Sequence, residues 1–190
     1  MRAKLLLILA AFTMSAQTGD APQFSSGGEL ALPKNYREWV FLSAGLGMTY
    51  GPARNVDPEN VKFDNVFVKP SAYRAFVETG RWPDRTMFIL EIRSSHGKGS
   101  INNGGRYQNE VVSVEAAVKD EKRFPQKWAY FDFGRGEKAQ ANPASSSCNS
   151  CHSQNAAVEN TFVQFYPTLL EIATEKKTLN AGYVAKAAGQ

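Results

Sequence analysis

The sequence predicts an α+β domain, a mainly antiparallel sheet of about four to five strands flanked by helices. Three observations lead there. Runs at 61–69, 86–93, 107–118 and 127–133 are rich in Val, Ile, Phe and Tyr and have strand length. Glycines and asparagines crowd residues 94–105, as in a hairpin loop, so the runs on either side return past one another. Apolar residues at helical spacing stand before this block, near 36–42, and after it, beyond 148.

Residues 1–16 read as a secretory signal peptide, which places the mature protein in the periplasm. Arg2 and Lys4 give a positive start, and Leu5 to Phe12 form an apolar run too short to span a bilayer. Ser15 and Ala16 put the cut near there, although Met14 fits poorly three residues before it. No later stretch reaches the length of a membrane span. Residues 17–32, polar and Gly/Ser-rich, read as a flexible leader. A single domain is expected over 33–176 and a polar tail over 177–190. The formal charge of +4 includes Arg2 and Lys4 and is spread evenly, which argues against nucleic acid or an anionic membrane as partner.

Asn35 can cap a helix carrying Tyr36, Trp39, Val40 and Leu42, with Gly45 and Gly47 ending it. The run 61–69 is a strand with Phe63 and Phe67 on one face and Val66 and Val68 on the other. Pro70 opens a short helix that Gly80 closes. Trp82-Pro83-Asp84 turns the chain into the next strand. The charged stretch 119–123 reads as a solvated turn between the last two strands, and 134–147 as irregular. A helix is expected to begin at the cysteines and to run through Ala156, Val158, Phe162, Phe165 and Tyr166 until Pro167 bends it.

Cys148-Asn149-Ser150-Cys151-His152 carries the chemistry. Two cysteines two residues apart with a histidine at once behind them read as a covalent c-type haem attachment site. Each thiol can add across one vinyl group of the porphyrin, and His152 can bind the iron as proximal ligand. A zinc site would need two more Cys or His ligands, yet His96 is the only other residue of either type. A thioredoxin-like pair belongs near the start of its domain, and a structural disulfide leaves the histidine unexplained. The secretory signal agrees, because bacterial c-type haem is attached outside the cytoplasm. One haem c is therefore expected. Aromatics at 12% suit a wrapped macrocycle and equally a well-filled core.

Small electron-transfer cytochromes are helical with the motif near the N-terminus. Here strands precede it, which suggests a sheet over the open haem face. The chain resembles the cytochrome P-460 / cytochrome c′-beta family across nearly the whole mature length. The resemblance is carried by Leu32-Pro33-Lys34-Asn35-Tyr36-Arg37-Glu38-Trp39-Val40, by Val68-Lys69-Pro70-Ser71-Ala72-Tyr73, and by Val114-Glu115-Ala116-Ala117-Val118-Lys119-Asp120 with Arg123-Phe124-Pro125. Cys148 to His152 and Phe162-Val163-Gln164-Phe165-Tyr166-Pro167 complete it. It implies a homodimer with the haem held by the motif histidine and an open or weakly occupied site opposite. In the hydroxylamine-oxidising members a strand lysine bonds to the porphyrin edge and a distal carboxylate assists proton transfer. By similarity that lysine position holds Leu90, with Lys69 and Lys98 elsewhere, which favours the c′-beta branch and its apolar, Phe-lined pockets.

Strand alternation puts Phe88, Leu90 and Ile92 on one face and Met87, Ile89 and Glu91 on the other. Phe88 and Leu90 are thus candidates for the distal pocket, or else ordinary core. Phe63, Phe67, Trp39 and Phe41 are further pocket candidates. His96, Met48 and Met87 are weighed as distal ligands against solvated or packing roles. Glu91 is expected in a surface or interface ion pair, and Arg106 and Arg135 at the haem propionates. The preferred function is binding of NO or a related small ligand for sensing, storage or detoxification. The alternatives are hydroxylamine oxidation and electron transfer with a redox partner protein.

Overall fold

A computed structural model describes residues 21–49 and 59–189. The predicted signal peptide lies outside the described residues. Strand β1 spans Leu30–Ala31, β2 Val40–Leu46, β3 Lys62–Val68, β4 Met87–His96, β5 Tyr107–Lys119, β6 Trp128–Gly134 and β7 Lys138–Ala139. Helix α1 is Pro70–Thr79, α2 Ser147–Asn155, α3 Pro167–Glu175 and α4 Ala181–Ala187. The main sheet runs β2-β3-β4-β5-β6 with every neighbour antiparallel, and β1 pairs with β7 in a separate two-stranded sheet. The α+β architecture matches the expectation. Among the described residues no helix is long and apolar enough to cross a membrane.

Alternation along the strands divides the core in two. On one face Val68, Phe88, Trp128 and Tyr130 meet α1, Trp82, the segment 157–166 and α3. On the other Met87, Ile89, Ala116, Val118 and Phe131 meet Tyr36 and Leu30. The leader therefore packs in its described part. Leu30 is fully buried, and the Phe24 ring lies 6.2 Å from Phe124 and 6.1 Å from Phe131.

Four local expectations fail, the first two because distant groups outweigh local preference. The helix expected from Asn35 is a single 3-10 turn over Tyr36–Glu38, and Val40–Leu46 pairs instead with β3 in the register Val40↔Val68. β-branched and aromatic residues favour the pleated ladder once a strand edge is available. The helix at the cysteines ends at Asn155. Gln164 Nε2 donates to the Asn155 carbonyl (2.7 Å) and its Oε1 accepts from Ala157 N–H (2.9 Å). Asn180 Nδ2 donates to the carbonyls of Ala156 (2.9 Å) and Glu159 (2.8 Å). These amides replace the helical ladder, and the chain restarts as a helix only at Pro167. The charged stretch after β5 is not all solvated, because Lys119 and Asp120 are buried. The polar tail also holds structure, with Thr178 buried and α4 following Asn180.

Candidate functional site

Helix α2 is polar, and its place is set by the chain before it. Buried Asn149 donates through Nδ2 to the Pro143 carbonyl (3.1 Å) and to Ser146 Oγ (3.1 Å), which pins its first turn. Cys148 and Cys151, one helical turn apart on the same side, are half-buried free thiols. Asn142 Nδ2 stands 3.5 Å from the Cys148 sulfur.

His152 follows, its ring held between Tyr130 (4.2 Å between ring centres) and Phe162 (4.3 Å). Nδ1 lies 2.7 Å from the carbonyl oxygen of Asn160. A carbonyl only accepts, so Nδ1 carries the proton and Nε2 keeps a free lone pair. Burial pushes the imidazole pKa down, against the opposing pull of the Asn160 carbonyl, which favours the neutral ring. A neutral imidazole whose second nitrogen donates to a carbonyl is the usual form of a metal-ligating histidine. These residues fit a haem: two free thiols to hold the macrocycle and one oriented lone pair for its iron. Among the described residues no cluster of three or more His, Cys, Asp and Glu is placed to hold a metal ion directly.

Tyr130 brings His152 to the sheet. It pairs with Ala117, which pairs with Phe88. The next row along the same face runs Val66, Leu90, Glu115, Asp132, and the row beyond it Asp64, Ile92, Ser113. Phe88 is packed between Trp82 (4.7 Å), Trp128 (6.2 Å) and Tyr166 (6.4 Å). Val66, Leu90, Ile92, Asp64 and Glu115 are only half-buried. One end of this face is therefore sealed by helices, while the rows past Tyr130, on which His152 packs, are only half-buried among the described residues. Burial raises the Glu115 carboxyl, helped by the charges of Asp132 and Asp64, and burial likewise raises Asp64 against the pull of Lys62.

The other candidates lie elsewhere. Phe67 meets Tyr36 (5.9 Å) and Phe41 (5.6 Å) edge to face on the opposite face, where Trp39 and Met87 also pack. Lys69 is buried with Nζ 5.3 Å from the Trp39 ring centre. His96 and Lys98 are exposed at the β4–β5 hairpin, His96 against Tyr107 (5.6 Å). Met48 is also exposed, just past β2. Arg106 is engaged by the Glu59 carbonyl (2.6 Å) and Ser95 Oγ (2.7 Å). Arg135 lines a groove of about 780 Å³ with Tyr36, Arg37 and Val114, residues of the face opposite His152. Glu91 forms ion pairs with Arg37 (2.5 Å) and Arg93 (2.5 Å) and accepts from Tyr36 Oη, but it is buried and not at the surface or interface expected, because these three donors replace its water. Sequence reading passed over Glu115 and Asn160. The register with Leu90 was the available signal for Glu115, whereas a backbone carbonyl has no sequence signature.

A helix offering paired thiols and a metal-ready imidazole beside a half-open sheet face has the parts a haem protein requires. The comparison with known families names the class more closely. The chain belongs to the Cytochrome P460 family, which it matches over residues 33–163, and is a haem-binding cytochrome. No curated protein matches it.

Proposed function

We propose that the exported protein carries one haem c, covalently attached through Cys148 and Cys151 and ligated by His152, and binds NO or a related small ligand in the periplasm. Bound there, the haem would supply an iron able to bind a small ligand. Cys148 and Cys151 fix the macrocycle, and the Asn160 carbonyl keeps the His152 ring in the tautomer that presents Nε2. Val66, Leu90 and Ile92 offer no hydrogen-bond donor and limit the entry of water, which favours a ligand needing no polar support. The observation that carries the reading is Leu90. By similarity this position holds the cross-linking lysine of the hydroxylamine oxidisers, and a leucine has no nitrogen to form that bond. The placement of Lys69 against Trp39 and of Lys98 in the hairpin loop supports the c′-beta branch in the same way. The family resemblance supports a homodimer.

A second reading, oxidation of hydroxylamine, is favoured by Glu115, a carboxyl of raised pKa on the face of Leu90. Such a group can exchange a proton with a bound ligand. Mass and absorption spectra of the purified protein, with a hydroxylamine assay, separate the readings. A chain one haem heavier, with an ordinary ferrous c-type spectrum, a stable NO adduct and no turnover, is expected. A red-shifted ferrous band with turnover would transfer the protein to the second reading. A low-spin, six-coordinate haem inert to NO would make it an electron carrier.

A further inference from the structure

We propose that Lys119 is a positioning residue for the proximal imidazole: through Glu159 it holds the Asn160 carbonyl against His152. The inference rests on the haem reading above, since it concerns how strongly His152 donates to iron.

The strength of the Nδ1–H bond sets how electron-rich a ligating imidazole is. Here the acceptor is a backbone carbonyl in the turn between α2 and α3, which also accepts from Tyr130 Oη (3.4 Å), so its position depends on the turn and on that one contact from β6. That turn is strained. Glu159 has φ +50°, in the left-handed region that a glutamate rarely adopts, and the Val158↔Thr161 bridge closes around it. Something outside must hold it.

Lys119, at the end of β5, does so. Its Nζ donates to Glu159 Oε2 (2.9 Å) and to the Trp82 carbonyl (2.7 Å), and Glu159 Oε1 accepts from Trp82 N–H (3.3 Å). Trp82 Nε1 in turn donates to Thr161 Oγ1 (2.8 Å), one residue past Asn160. From the other side Asn180 grips the Glu159 backbone at both its carbonyl and its N–H. Asn160 is thus the residue between two anchored ones. Lys119 is 7% exposed. Burying an ammonium there costs stability that a Met or Leu of similar length would not cost, so its presence calls for a role that apolar packing cannot fill. Clamping a strained acidic residue to the sheet is such a role. With a neutral side chain at 119, Glu159 loses its cation and the turn is free to relax. The Asn160 carbonyl then moves off Nδ1, and the imidazole becomes a weaker donor.

The test uses the haem-loaded protein with Lys119→Met, Glu159→Gln and the two combined. The readouts are the iron–histidine stretching frequency of the ferrous form and the midpoint reduction potential. Lys119→Met should lower the frequency and raise the potential, and Glu159→Gln should move both in the same directions by less. The combined variant should not exceed the larger single effect, because the two residues act as one unit. A Lys119→Met protein that melts earlier but keeps both readouts unchanged would overturn the inference and leave Lys119 a purely structural residue. If that variant does not fold, Glu159→Gln decides by the same readouts. Wild-type protein lacking an iron–histidine mode would overturn the haem reading and this inference together, whereas a mode present but unmoved overturns this inference alone.

Discussion

Glu91 and Glu115 lie on adjacent strands, Glu115 opposite Leu90 and Glu91 opposite Val114, yet their carboxyls are pushed in opposite directions. They point to opposite faces. Burial alone would raise Glu91, but hydrogen bonds from Arg93, Tyr36 and Arg37 hold it below its ordinary 4.5. Tyr36 responds in kind, its phenol pushed up to about 12 by burial and by the Glu91 carboxylate. A group depressed on folding contributes stability that is complete above its unfolded pKa and is lost as pH falls through its folded pKa. Glu91→Gln should therefore flatten the loss of Tm below about pH 4.5. Glu91→Ala, which leaves the buried Tyr36 hydroxyl without its acceptor beside two partly exposed arginines, should cost about 1–3 kcal/mol in urea unfolding at neutral pH. Glu115 has the reverse sign. Its folded pKa is raised, so the fold favours the protonated form and stability is lost as pH rises from 4.5 through the folded value. Glu115→Gln should melt higher than wild type at neutral pH and level with it in acid. A Glu115→Gln protein that melts lower at neutral pH would mean that the carboxylate is paired, contrary to its surroundings.

Helix α1 shows how much one residue can fix at the scale of an element. Pro70 sits in its first turn, where the missing N–H costs nothing, and Gly80 ends it in the left-handed conformation at φ +71° with its N–H on the Phe76 carbonyl (2.7 Å). A methyl group at Gly80 would stand 2.8 Å from Lys176 Cβ and 2.8 Å from Thr178 Oγ1, so the cap is also where α1 meets the end of α3. Gly80→Ala should cost about 1–3 kcal/mol for the backbone alone, read as a lowered denaturant midpoint with unchanged slope. This cap was legible in the sequence, as were β3 to β6 and the hairpin between β4 and β5, because their signals are local. What was not legible depended on partners far along the chain. Tyr36 and Val40 have helical spacing, but Glu91 and the edge of β3 decide their conformation. Asn180 and Gln164 end α2 from the far side of a turn. At the site, the Cys-x-x-Cys-His pattern was plain, while the acceptor at Asn160 needed the turn around it and the facing of Phe67 away from Leu90 needed the register of the sheet.

At the scale of the molecule, one sheet face is not fully covered by the described residues. Helices α1 and α3 with Trp82 bury Val68 and Phe88 fully or nearly so, and the opposite face is closed by the leader and Tyr36. In the rows past Tyr130, however, Val66, Leu90 and Ile92 remain half-exposed, together with Asp64 and Glu115. A macrocycle tethered at Cys148 and Cys151 is of the right character to cover them, so the haem would complete the core as well as bind ligand. Protein exported with Cys148→Ala and Cys151→Ala should then lose about 2 kcal/mol, the worth of re-exposing part of three aliphatic side chains. For a chain of this size that is a fall in Tm of roughly 4–8 °C. The loss should also be local. In hydrogen exchange, α2 and the turn carrying Asn160 should open far more readily than β3, β4 and β5, whose ladders do not depend on the tether. If the cysteine-free protein instead melts like wild type, with α2 equally protected, the open end of the sheet is covered by something other than haem. In that case the thiols serve attachment without serving the fold.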